Sequence, residues 1–191
     1  MDMFFETMKI FAMYARVVLD RNTWLDAFRK KYHDAYDPHI TLIQPRIISE
    51  EQVSDIKKRV SSFFSDFHIP NHRIDVIFDT LIPEETKTEK NCVMIGPKQN
   101  FLLLDLQKRL RAILVEYLNF FEEKTKTYEE NFRPHITIGI DLSSDDYMVA
   151  LNELGNEYLF KGSVSEIVLT VVKEHTIEEA KNVENMTVFY L

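Results

Sequence analysis

The tripeptide His-Ile-Thr occurs twice, at 39–41 and 135–137. Each copy directly follows a proline (Pro38, Pro134) and runs into apolar residues, Leu42-Ile43 and Ile138. A proline followed by alternating polar and β-branched residues reads as the opening of a strand. With a period of two, His39 and Thr41 share one face while Ile40 points to the other; His135, Thr137 and Ile136 divide in the same way. Each copy thus presents an imidazole beside a hydroxyl on a rigid backbone. Two such pairs facing each other would set two acid/base groups and two hydroxyl donors around one small substrate atom, which suits a phosphodiester.

Histidine fits this work because its ordinary pKa near 6.5 lets it give and take protons at neutral pH. One imidazole, as a base, would take a proton from the attacking water, and the other, as an acid, would protonate the departing oxygen. Each threonine hydroxyl would donate to a non-bridging oxygen whose charge must be stabilised. Such a site calls for no metal and no cofactor. The other histidines offer no metal-ligand pattern: His33, Asp37 and His39 lack the spacing of a known zinc motif, and Pro70 stands between His68 and His72.

The elements around the two copies follow from periodicity and punctuation. Residues 10–19 read as a strand, and Thr23 is placed to cap a helix carrying Trp24, Leu25, Phe28 and Tyr32. The first motif strand spans 39–44 and is expected to close at Pro45. Ser49 with Gln52 forms a capping box for a helix that turns Val53, Ile56, Val60 and Phe63-Phe64 inward. One strand is expected from His72 to Leu81, then a charged hairpin connection from Pro83 to Lys90, then a strand from Cys92 to Ile95 stopped by Gly96-Pro97. An amphipathic helix is read over 101–120, with Lys108, Arg109 and Arg111 facing solvent. Pro134 opens the second motif strand, which ends near Ile140. Ser143 or Ser144 caps a helix through Met148, Leu151 and Leu154, and strands at 163–172 and 186–190 close the chain. The motifs stand 96 residues apart (39 to 135), each between two helices, so the order suggests an internal repeat. These elements give an α+β fold in which helices pack outside two antiparallel-rich sheets and the motif strands line the cleft between two lobes.

Composition narrows the partners. The 191 residues suffice for a core without staples, and the single Cys92 excludes an internal disulfide, so a reducing, cytoplasmic compartment is expected. Cys92 itself reads as a buried, inert thiol. The first segment lacks the pattern of a signal peptide, and Lys9, Tyr14 and Arg16 interrupt the apolar run after it, so neither a leader nor a membrane span is expected. A net charge of −8 argues against long duplex nucleic acid, which is held by many Lys and Arg contacts. A small nucleotide or an RNA end, bound by a local positive patch of a monomer, remains compatible.

Asp37-Pro38-His39-Ile40-Thr41-Leu42 and Phe132-Arg133-Pro134-His135-Ile136-Thr137-Ile138-Gly139 resemble the paired His-x-Thr/Ser signatures of the 2H phosphoesterase superfamily, which includes RNA 2′,5′-ligases and cyclic nucleotide phosphodiesterases; the small bacterial-type branch is the most similar. The resemblance implies one domain, 1–191, of two interleaved lobes with pseudo-twofold symmetry and a central groove. It also implies metal-independent chemistry on nucleotides or RNA ends carrying 2′,3′-cyclic or 2′,5′-linked phosphates, by hydrolysis or reversible ligation. Carried over, His39 and His135 are the acid/base pair and Thr41 and Thr137 contact the phosphate. The sequence departs at Ile140, where many relatives place a basic residue after the motif glycine. Arg133, two residues before His135, would then supply the missing positive charge, with Arg16 and Lys173 as further groove candidates. Asp37 stands in the same relation to His39 and either raises its pKa or ends the preceding turn. Tyr14 and Phe132 are candidates for stacking on a base. A second reading keeps the fold but loses turnover, leaving a nucleotide- or RNA-end-binding module.

Overall fold

Burial alternates along the first strand, β1 (Met8–Leu19), and this fixes which face looks inward. Phe11, Met13, Ala15 and Val17 are buried, while Tyr14 and Arg16 take the opposite face. The structure, a computed structural model, describes residues 8–33, 35–82, 91–155 and 158–191. After β1 come α1 (Thr23–Tyr32), β2 (His39–Ser49), α2 (Glu50–Asp66), β3 (Ile74–Phe78) and β4 (Thr80–Ile82). Then follow β5 (Asn91–Gly96), α3 (Phe101–Ile113), α4 (Lys124–Glu130), β6 (Ile136–Leu142), α5 (Ser144–Leu154), β7 (Phe160–Val172), α6 (Ile177–Lys181) and β8 (Met186–Tyr190).

Two antiparallel sheets result. One has the order β2-β1-β7-β3, with β8 also on β7; the other is β4-β5-β6. The halves interleave. The core of the larger sheet, β2-β1-β7, is matched by β6-β5-β4 in the smaller one, so β7 of the second half pairs with β1 of the first, and β4 of the first half with β5 of the second. Helices cross as well: α1, from the first half, packs on β6, and α3, from the second, packs on β2. The motif strands β2 and β6 meet between the sheets. This exchange gives the fold its bilobal, pseudo-twofold character.

Several elements differ from the sequence expectation, each for a physical reason. Asn22, not Thr23, caps α1, its side chain accepting from Leu25 N–H at 3.0 Å. β2 does not stop at Pro45. It is an edge strand, and Pro45 sits in a bulge where its missing N–H leaves no ladder bond unmade. The outer edge is covered instead by residues 119–121, through Ile47 N–H to Asn119 O at 2.7 Å and Phe121 N–H to Pro45 O at 2.9 Å. The single strand expected from His72 to Leu81 is two, because the chain passes at Asp79 from one sheet to the other.

The helix read over 101–120 ends at Ile113; beyond it the Tyr117 N–H donates to the Leu114 carbonyl at 3.1 Å, a tighter turn, and the Arg46 guanidinium also donates to the carbonyls of Leu114 and Tyr117. Arg111 does not simply face solvent but reaches Glu129 at 3.2 Å. Met148 is exposed, and Ala150 and Leu154 are the buried residues of α5. Helices α4 and α6 lie where no apolar period marks a helix. The charged segment 83–90 and the first residues lie outside the described residues. No helix among the described residues is long and apolar enough to cross a membrane.

Candidate active site

Both histidines are held by the same local device. The Nδ1 of His39 lies 2.8 Å from the carbonyl oxygen of Asp37, and the Nδ1 of His135 lies 2.7 Å from that of Arg133. A carbonyl only accepts, so Nδ1 carries the hydrogen in each ring and Nε2 is the nitrogen left for chemistry. The proline between carbonyl and histidine fixes its own φ and biases the residue before it to extended backbone, which turns that carbonyl back toward the ring. The Pro-His pairing thus has a mechanical function beyond opening a strand.

The second motif is held in place by a close approach. A Cβ at Gly96 would lie 2.3 Å from the Pro134 carbonyl oxygen, so only glycine lets β5 and this segment come together.

The rings lie in adjoining cavities. A cavity of about 680 Å³ beside His39 includes Tyr14, Arg16, Tyr36, Asp37 and Ile140. A smaller one of about 290 Å³ beside His135 includes Cys92, Tyr128, Asn131, Phe132 and Arg133. Thr41 and Gln44 belong to both, which makes them the junction. Each imidazole keeps some exposed surface yet is crowded by protein on most sides. Burial accordingly pushes the pKa of both below the ordinary value, partly offset by the carbonyl bonds. The Arg29 charge lowers His39 further, and the charge of His39 itself lowers His135.

The strand register places the first set of side chains. Arg16 pairs with His39 and Tyr14 with Thr41, so all four share one face of the β1–β2 ladder. Arg16 binds Glu166 on β7 at 2.5 Å. Tyr14 and Tyr36 meet the His39 ring edge-on, with centroids at 5.2 and 5.8 Å, and burial raises the pKa of both phenols. Lys181 of α6 stands 6.0 Å over the Tyr36 ring.

The sequence-predicted residues thus fall in three groups. His39, Thr41, Tyr14 and Arg16 line the larger cavity, and His135, Arg133 and Phe132 line the smaller, with Arg133 exposed at its rim. Thr137 is half-buried on β6 opposite Met94 and borders neither cavity. Lys173 is exposed and also borders neither; from its segment it is His175 and Lys181 that line the larger one. Cys92 is half-buried at the smaller cavity, not sealed in the core. The sequence reading missed Tyr36, Gln44 and Lys181. Tyr36 precedes the Asp-Pro-His frame by one residue and offered a signal; the others depend on a bulge and a short helix without one. Among the described residues, no group of three or more His, Cys, Asp and Glu side chains converges as a metal site would require.

Comparison with known proteins bears on this geometry. No curated protein matches the chain. E. coli LigT, solved with 3′-AMP, superposes with a TM-score of 0.51 at 17% identity, covering 97% of this chain and 95% of that one. Kluyveromyces marxianus Usb1 superposes with a TM-score of 0.57 at 8% identity, covering 95% and 98%. At such identities the likeness speaks for the fold. The family described as the 2′-5′ RNA ligase superfamily matches residues 16–176, which take in both His-Ile-Thr motifs and most of the chain. The chain belongs to this superfamily, the 2H phosphoesterases.

Proposed function

We propose that this protein is a metal-independent phosphoesterase acting on 2′,3′-cyclic or 2′,5′-linked phosphates of nucleotides or RNA ends, with His39 and His135 as the acid/base pair. The observation that carries the reading is the identical tethering of the two rings, Nδ1 on the carbonyl two residues back, beside cavities that adjoin at Thr41 and Gln44. In hydrolysis, water attacks phosphorus while one neutral imidazole takes its proton. The bond to the ribose oxygen breaks, and the other imidazole, protonated, delivers a proton to that oxygen. The rings thereby exchange charge states, and solvent exchange resets them.

Thr41, at the junction of the cavities, donates to a non-bridging oxygen; Thr137, which borders neither cavity, is assigned the same part only because the second motif repeats the first. Arg133 at the smaller cavity and Arg16, paired with Glu166, at the larger one supply positive charge, Ile140 having none to give. Tyr14 and Phe132 offer aromatic surface for a base.

The test is turnover of nucleoside 2′,3′-cyclic phosphates and 2′,5′-linked oligonucleotides in excess chelator. Product formation unaffected by chelator is expected. Activity that vanishes with chelator and returns with one added divalent ion would overturn the mechanism, and nucleotide binding without turnover on any of these substrates would leave a binding module.

A further inference from the structure

Two irregularities in the β1–β2 ladder aim Gln44 into the groove. Tyr14 pairs with Thr41 and Met13 with Ile43, so Leu42 is an extra residue; Phe11 then pairs with Arg46, so Gln44 and Pro45 together stand opposite Ala12. An unbroken period of two would have put residue 43 beside Thr41. Instead Leu42 and Ile43 are both buried, and Gln44 takes the next place after Thr41 on the groove wall.

Its backbone is pinned from behind, the Gln44 N–H donating to Glu129 Oε2 at 3.0 Å. Glu129 is 1% exposed and is held by the Arg46 guanidinium and by Arg111. A buried ion pair between the halves of the molecule thus holds the backbone from which this carboxamide extends.

Thr41 and Gln44 line both the cavity beside His39 and the cavity beside His135. A substrate that places its phosphate between the imidazoles and its organic parts in the cavities must pass these two side chains at the phosphate. A carboxamide brings two N–H donors and no charge to that point. We propose that Gln44 contacts the scissile phosphate, donating to a non-bridging oxygen alongside Thr41, with Glu129 as its positioning residue. The inference rests on the reading given under Proposed function.

Gln44→Met keeps the length of the side chain and removes its donors. The experiment measures kcat/KM for parent, Gln44→Met and His39→Ala on adenosine 2′,3′-cyclic phosphate and on 2′,5′-linked diadenylate, and calorimetric titration of parent and Gln44→Met with inorganic phosphate. Gln44→Ala serves in the same role if the methionine variant does not fold. Losing a hydrogen bond to a charged oxygen should lower kcat/KM roughly 10- to 100-fold, equally on both substrates, and weaken phosphate binding in step. If Gln44→Met stays within twofold of parent in all three measurements while His39→Ala loses turnover, the inference about Gln44 is overturned and the reading of the site stands. A loss confined to one substrate, with phosphate binding unchanged, also overturns it, since the contact would then be to the organic part. Turnover unimpaired by His39→Ala defeats the reading itself, and the assignment of Gln44 falls with it.

Discussion

An imidazole that moves a proton must have one nitrogen anchored and the other free, and the rings of His39 and His135 meet that demand through one backbone carbonyl each. Their pKa values, pushed below the ordinary 6.5 chiefly by burial, set the pH behaviour. The base must be neutral, so activity falls as pH drops through its lowered pKa. The acid must be protonated, so activity falls as pH rises through the other. The free-enzyme profile of kcat/KM against pH is therefore bell-shaped with its maximum below 6.5, and its limbs belong to the coupled pair. Bound phosphate, being anionic, raises both values, so the alkaline limb of kcat lies at higher pH than that of kcat/KM. A kcat/KM maximum on the alkaline side of 6.5 would contradict the burial argument. Arg133 is tested by Arg133→Met, which should lower kcat/KM by about an order of magnitude, with Ile140→Arg restoring part of the loss in that background. Steady-state rates at fixed ionic strength decide it; a variant within twofold of parent makes Arg133 a surface residue. That His39, Thr41 and His135 would lie at cavities was legible because a duplicated polar-apolar-polar pattern survives most details of packing; Thr137, from the same pattern, borders neither. Gln44 was not, because a bulge reverses the strand parity that sequence reading relies on.

Elements from both halves of the chain position these residues. The buried Arg46–Glu129 pair joins β2 to α4, with Arg46 also donating to the carbonyls of Leu114 and Tyr117 and lying 5.0 Å from the Phe120 ring centroid. Replacing Glu129 by Leu leaves a buried guanidinium short of its carboxylate and should cost about 3–5 kcal/mol of stability, read as a shift in the urea midpoint. Gly96→Ala forces a methyl against the Pro134 carbonyl, so the second motif must move. Destabilisation of about 1–3 kcal/mol is expected, with kcat reduced more than KM, by urea melts and steady-state kinetics. Gly96-Pro97 was read as a simple strand stop; its close approach to the motif is a tertiary fact that local punctuation does not carry. The same holds for the end of α3. Its apolar period runs on past Ile113, while the carbonyls just beyond the helix end are taken by the Arg46 guanidinium, 68 and 71 residues away in sequence. Caps whose partners lie within three residues, such as Ser49 with Gln52 and Ser143 with Asp146, could be read directly.

At the scale of the whole molecule, two halves exchange a strand and a helix, so neither motif can be positioned without the other half. The net charge of −8 surrounds a groove whose cations are few. Binding should therefore depend weakly on salt, with log(kcat/KM) falling against log[salt] with a slope of about −1 to −2 instead of the near −10 of a duplex binder. Substrate saturation curves at several salt concentrations give that slope. The central claim is that His39 and His135 act as one acid/base unit on a single phosphate. Its most direct test compares the chemical step of parent, His39→Ala, His135→Ala and the double variant under chelator, each shown to be folded. Each single substitution should slow the step by roughly 10²–10⁴-fold, and the double should be hardly slower than the worse single, because a proton relay broken once is already broken. A folded double variant that turns over at the rate of the parent would contradict the account.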